Sequence, residues 1–177
     1  MKVPSRYGSH LPLLEWALSV TEGPVLEMGG GNFSTPYLAE SGRDVTTYEP
    51  EENWRETLKE YENDTLHVVA DLPDARHYAL LFVDDEPEAE RHIRMQRFDF
   101  DSAVIHDSWW DEIWDNHPNF RPRFRREFLD YGKTFPTCWF YDPGSELGPP
   151  SMFISHTPDL FPSEKFEVGR VHLVERG

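Results

Sequence analysis

Residues 25–35 read Val-Leu-Glu-Met-Gly-Gly-Gly-Asn-Phe-Ser-Thr: an apolar run, three consecutive glycines and the opening of a helix. No other segment narrows the fold as far. The strand delivers the chain to a turn where Gly29 and Gly31 permit a tight reversal and the close approach of a ligand. The helix that follows aims its first N–H groups and its dipole at the same point. Ser34 and Thr35 supply hydroxyls at the helix start, where they cap it or touch the ligand.

The rest of the chain repeats the same beat of apolar runs and helical patterns. Ser9 is placed to cap a helix through Leu11, Leu14, Leu18 and Val20, with Pro12 in its first turn. Strands are expected at 24–28, 44–49, 66–71, 78–84 and 102–107, and helices at 34–41, 51–61 and 86–98. Strand followed by helix, repeated in this way, predicts an α/β domain with a parallel sheet and right-handed crossovers. The last third differs. Residues 115–126 are rich in Pro, Arg and Phe and read as a long connection with some helix. Short β-prone runs at 137–141 and 152–155, with Asp142-Pro143-Gly144-Ser145 after the first, suit a hairpin or an antiparallel addition to the sheet edge. Residues 171–174 form another edge strand or a tail. No linker divides the 177 residues, so one domain over 1–177 is expected.

Charge narrows the partners. The net charge is −16 and the isoelectric point near 4.8, so anionic membranes and phosphate backbones are repelled on average. A nucleic-acid partner is disfavoured and a membrane partner is not expected. Cys138 is the lone cysteine, which excludes a disulfide framework. The first residues carry no apolar stretch of signal-peptide length, and the expected location is the cytoplasm.

Carboxylates gather at the expected strand ends. Glu49 comes about 20 residues after the glycine loop, where an acid can accept both hydroxyls of a ribose. Asp71 ends the third strand and suits an adenine amino group; Asp84 and Asp85 end the fourth. An open parallel sheet binds ligands at the carboxyl ends of its strands, where all four acids fall.

These residues resemble the class I S-adenosylmethionine-dependent methyltransferases over roughly residues 24–108. VLEMGGGNFST looks like that family's first motif, an acid, one residue and a glycine loop, with a departure at Phe33, where many members have glycine. The resemblance implies a Rossmann-like three-layer α/β sandwich with a mostly parallel seven-stranded sheet and an antiparallel edge. It implies S-adenosylmethionine as cofactor. Glu27 sits where the family's acid approaches the methionine amino end; Glu49 matches the ribose acid and Asp71 the adenine-side acid. Gly29, Gly30, Gly31, Asn32, Ser34, Thr35 and Asp84 complete the expected cofactor contacts. The N-terminal helix would bring Tyr7 or His10 to the pocket rim. The expected activity is methyl transfer to an oxygen or nitrogen of a small-molecule acceptor. Two alternatives stay open: a non-catalytic binding protein that retains the fold, and a nicotinamide-dinucleotide oxidoreductase, against which the position of Glu27 argues.

LLFVDD and AVIHDS end two strands whose carboxylates, Asp84 and Asp107, suit one hard divalent cation such as Mg2+. Such an ion would orient and acidify an acceptor oxygen. The pattern is similar to metal-dependent O-methyltransferases, with Ser108 where that family often has asparagine. His106, Asp107 and Asp85 are the candidate proton acceptors, with Glu86 a further one. Trp109, Trp110 and Trp114 either wall a substrate pocket or pack a helix on the sheet. Arg121, Arg123, Arg125 and Arg126, interleaved with Phe120, Phe124 and Phe128, read as an anion or nucleotide clamp or as an amphipathic segment balancing nearby acids.

Overall fold

Apolar side chains alternate along the strands and so divide the core between two faces of one sheet. Val25, Val45, Leu80, Phe82, Val104, Trp139 and Phe153 point to one side; Leu26, Met28, Leu81, Val83, Ile105, Phe140 and Met152 point to the other. The computed structural model describes residues 8–86, 90–108, 125–144, 146–163, 166–167 and 169–174, with 125–128 in backbone only.

In chain order the elements are α1 (Leu11–Val20), β1 (Val25–Met28), α2 (Ser34–Glu40), β2 (Val45–Tyr48) and α3 (Glu52–Leu58), which runs into a 3-10 turn (Lys59–Tyr61). Then follow β3 (Leu66–Val69), β4 (His77–Val83), α4 (Arg91–Met95), β5 (Asp99–Ile105), α5 (Arg125–Gly132), β6 (Thr137–Asp142), β7 (Ser151–Ser155) and β8 (Arg170–Leu173). The sheet order is β3-β2-β1-β4-β5-β7-β6-β8. β1 to β5 pair in parallel, while β7 enters antiparallel between β5 and β6, and β8 closes the edge antiparallel to β6. The expected layered α/β architecture is present, with eight strands in place of seven because residues 170–173 pair with β6.

Helices cover both faces. Leu11, Leu13, Leu14 and Ala17 of α1, Leu38 of α2 and Leu58 of α3 fill the first core; Met95 of α4 and Leu129 and Tyr131 of α5 pack into the second. Three local expectations change. His10, not Ser9, stands at the start of α1, and no side chain caps it. Glu51 caps α3, accepting from Asn53 N and Trp54 N. The described part of the helix expected at 86–98 narrows to α4, which buries only Arg91 and Met95. Among the described residues no helix is long and apolar enough to cross a membrane.

Trp139 is fully buried on β6, edge to face with Trp16 and close to Phe153, and its indole N–H donates to Leu160 O. Trp139→Ala should lower unfolding stability by roughly 3–5 kcal/mol, the range for an aromatic cut from a packed core. Denaturant titration measures it; a loss below about 1 kcal/mol would show that this end of the core closes without the indole.

Candidate functional site

Strand register builds the site. Met28 pairs with Tyr48 and with Val83, and Val83 pairs with Ile105, so β1, β2, β4 and β5 end level. The next residue of each strand, Gly29, Glu49, Asp84 and His106, therefore stands in one row. Each keeps a last ladder bond: Gly29 N to Tyr48 O, Glu49 N to Val69 O, Asp84 N to Met28 O and His106 N to Val83 O, all 2.8–2.9 Å. The row lies at the carboxyl ends of the strands, beside the β1/β4 junction where the strand order reverses, which is where open α/β sheets take their ligands.

The glycines hold the row open. Gly29 has φ +86°, and a Cβ there would lie 2.6 Å from Asp85 N, so neither backbone nor space admits a side chain. At Gly30 a Cβ would run into Leu58 and Thr47, while its carbonyl accepts from Trp54 Nε1 at 2.7 Å. Gly31 N donates to Thr35 Oγ1, and Asn32 is exposed beside it.

Beneath the loop, Glu27 is fully buried on β1. Its Oε2 accepts from Thr35 Oγ1 at 2.8 Å and from Thr47 Oγ1 at 2.7 Å. Its Oε1 has no hydrogen-bond partner among the described residues. Thr35 and Ser34 are buried too; the Thr35 hydroxyl lies between Gly31 N and Glu27, where it shapes the loop, and the Ser34 hydroxyl caps nothing but favours the charged form of Glu27. Glu49 is 7% exposed; its Oε1 accepts from Glu51 N at 2.9 Å, and burial pushes the carboxyl up against the pull of the Glu51 and Gly30 backbone donors. Asp71 is exposed, two residues past the end of β3.

Across the β1/β4 junction, a buried arginine ties the ends of β4 and β5 together. Arg91 Nε donates to Asp85 O at 2.6 Å, Nη1 to His106 O at 2.8 Å and Nη2 to Asp84 Oδ1 at 3.2 Å. Asp85 is buried between Arg91 and Arg94, with Arg94 Nε 2.6 Å from its Oδ2. Burial raises the Asp85 carboxyl, against the pull of Arg94 and Arg91. His106 is also buried: Nε2 meets Ser9 Oγ at 3.1 Å and Nδ1 lies 3.2 Å from Asp84 Oδ1. Burial works against charge on this pair, yet the two groups favour each other's charged forms, so the Asp84 carboxyl is held down and the His106 imidazole is held up. Asp107 is partly exposed, at φ +54°, with Oδ1 3.7 Å from His106 Nδ1; burial raises its carboxyl.

His10 departs most from expectation. It is buried against Phe82 and edge-on to His106, not at a rim, and neither ring nitrogen has a hydrogen-bond partner among the described residues. Burial, with His106 beside it, lowers its imidazole to about 3. His10, Asp84 and His106 place ligand atoms within 4.8 Å of one another, a group that does not include Asp107. The sequence pattern gives Ser9 and His10 other places, a helix cap and the pocket rim, and marks none of Thr47, Arg91 or Arg94. Tyr7, Trp109, Trp110, Trp114, Phe120, Arg121, Arg123 and Phe124 lie outside the described residues, as do the side chains of Arg125, Arg126 and Phe128.

No protein-family model and no curated protein matches this chain by sequence. Solved structures do match. The O-methyltransferase from Bacillus cereus in complex with SAH is 17% identical, with a TM-score of 0.60 over 85% of this chain and 81% of its own. The TehB-like SAM-dependent methyltransferase from Corynebacterium glutamicum is 13% identical, with a TM-score of 0.51 over 81% and 85%. The 16S rRNA methylase ArmA is 12% identical, with a TM-score of 0.53 over 82% and 79%. The chain has the class I methyltransferase fold.

The antiparallel β7 between β5 and β6 separates this methyltransferase fold from the dinucleotide-binding order 3-2-1-4-5-6, so the sheet gives the oxidoreductase alternative no support. The fold does not choose an acceptor: the neighbours include an O-methyltransferase and an rRNA methylase, so the exclusion of nucleic acid draws no support from them.

Glu27 yields a pH test. Burial pushes its carboxyl from 4.5 up to about 7, although the hydroxyls around it favour the charged form. The folded protein then binds the proton more tightly than the unfolded chain, so the stability contributed is present below pH 4.5 and is lost as pH rises through 7. Glu27→Gln cannot ionise. Relative to wild type it should gain on the order of 2–3 kcal/mol between about pH 5 and 8. Thermal melts of both proteins at the two pH values measure this; a stability difference independent of pH would contradict it.

Proposed function

We propose that the protein is an S-adenosylmethionine-dependent methyltransferase acting on an oxygen or nitrogen of a small-molecule acceptor. The observation that carries this is the level row of Gly29, Glu49 and Asp84 at the strand ends of a methyltransferase-type sheet. The residues fit the cofactor. A loop in which a Cβ would collide with Asp85, Leu58 and Thr47 leaves its outer side to a ligand, and Glu49 stands one strand away. S-adenosylmethionine, when bound, supplies a methyl group activated for displacement by a nucleophile.

This chain's residues then have distinct tasks. The glycine loop, with Asn32, takes the methionine portion from one side, and Asp84 borders it from the other. Glu49 accepts from the ribose hydroxyls, and Asp71, exposed beyond β3, is placed for the adenine amino group. Glu27 acts from below by fixing the loop. Methyl transfer by displacement needs alignment and the exclusion of water rather than a covalent nucleophile. Asp107 is the proton acceptor: its carboxylate is partly exposed, unlike Asp85, and its raised proton affinity strengthens it as a base. The net charge of −16 supports a small acceptor over a polyanion.

Calorimetry with S-adenosylhomocysteine tests this directly. Glu49→Ala should weaken binding about tenfold or more, as expected for two hydroxyls deprived of a charged acceptor worth roughly 1.5–3 kcal/mol. Asp107→Asn should bind as wild type does. Equal affinity of a folded Glu49→Ala variant would remove Glu49 from the cofactor site.

A further inference from the structure

Two ring nitrogens and a carboxylate face one another beside the glycine loop. His10 precedes α1, Asp84 follows β4 and His106 follows β5, and their ligand atoms all lie within 4.8 Å of one another. His10 is 2% exposed, with both ring nitrogens unpartnered among the described residues. An imidazole taken from water with neither nitrogen satisfied loses hydrogen bonds that burial does not replace, unless something else occupies the site.

The contacts of His106 turn its Nδ1 toward Asp84 and its Nε2 toward Ser9. Ser9 Oγ lies 3.1 Å from His106 Nε2 and 3.2 Å from Pro149 O; when its proton goes to Pro149 it accepts from Nε2. In that arrangement Nε2 carries a hydrogen, and Nδ1, 3.2 Å from Asp84 Oδ1, either carries a second one in the charged ring or offers its lone pair to a metal ion. A metal ion bound here would displace the proton that the charged ring shares with Asp84. Ligand atoms about 2.1 Å from one ion and near a right angle to each other stand about 3 Å apart, close to this spacing. The surroundings complete the pattern: the second nitrogen of His106 is oriented by a hydroxyl, and Arg91 Nη2 fixes the Asp84 carboxylate at 3.2 Å.

We propose that His10, Asp84 and His106 form a binding site for a divalent transition-metal ion, held by two imidazoles and one carboxylate. Two nitrogen donors select zinc, cobalt, nickel or iron over magnesium and calcium, which prefer all-oxygen ligands. This differs from the Asp84 and Asp107 oxygen pair expected from the sequence, because His10 and His106 fill the places around Asp84 and Asp107 lies outside the group. Asp84 is about a quarter exposed and gives the ion a way in. The backbone of Asp84 packs on Gly29, so the ion would sit next to the loop; its use in methyl transfer, as a Lewis acid on an acceptor oxygen, rests on the function proposed above.

The test uses the full chain, stripped with a chelator and titrated with Co2+, read by visible ligand-field absorption and by calorimetry. One ion per chain should bind, a large excess of Mg2+ should not displace it, and Zn2+ should. His10→Gln and Asp84→Asn should each weaken Co2+ binding beyond the roughly 10–100-fold that loss of an outer-shell partner brings. Thermal melts identify any variant that fails to fold, and Glu56→Gln, on the exposed side of α3, should keep wild-type Co2+ affinity. Absent Co2+ binding in the folded wild type, Co2+ affinity unchanged in folded His10→Gln, or equal competition by Mg2+ would each overturn the site. S-adenosylhomocysteine titration of the stripped protein keeps the two proposals apart. Cofactor binding without Co2+ binding ends the metal site alone, whereas Co2+ binding without cofactor binding supports the metal site and ends the methyltransferase proposal.

Discussion

Glu27 accepts hydroxyl hydrogen bonds from Thr35 of α2 and Thr47 of β2 on one carboxylate oxygen, at a point that solvent does not reach. Through those bonds one side chain joins the central strand, the first turn of the helix after the glycines and the neighbouring strand. Thr35 passes the connection on to Gly31 N. The loop is thereby shaped from beneath, with its outer side left to a ligand. Burying a carboxyl raises its proton affinity even where hydroxyls favour the charged form, and that tension is accepted at the point where the loop must hold one form.

A second buried ionic group does the same for the other half of the site. Arg91 reaches two backbone carbonyls and the Asp84 carboxylate, so the chain leaving β4 and the chain leaving β5 keep a fixed separation. Removing one partner of such a buried set strands the others, which makes the arrangement rigid rather than strongly stabilising. Between the two anchors lies the row from Glu49 to His106, level because the parallel register is level. The fold supplies the plane, and the two buried charges set what projects from it.

Much of this was legible in the sequence, for physical reasons. Apolar runs such as 78–83 mark strands buried on both faces, and three glycines between a strand and a helix permit few geometries. Acids placed just after such runs must emerge at the strand ends, and Glu49 and Asp84 do. What long-range packing decides was not legible. Ser9 looks like a helix cap, but its hydroxyl serves His106 and Pro149, 97 and 140 residues away along the chain. Asp85 looks like its neighbour Asp84, but side chains alternate about the chain, and Asp85 turns inward to Arg91 and Arg94. Thr35 has the composition of a ligand-binding hydroxyl and is consumed by Glu27. His10 is expected at a pocket rim; the packing of α1 over β4 and β5 instead buries it against His106.

The most direct measurement of the central claim is a crystal structure of the protein with S-adenosylhomocysteine. The expected result is electron density for the ligand at the strand ends, with the ribose hydroxyls on Glu49, the homocysteine portion along Gly29 to Gly31 and Glu27 still bonded to Thr35 and Thr47. A ligand bound elsewhere, or a glycine loop rearranged so that Glu27 releases the two threonines, would contradict it.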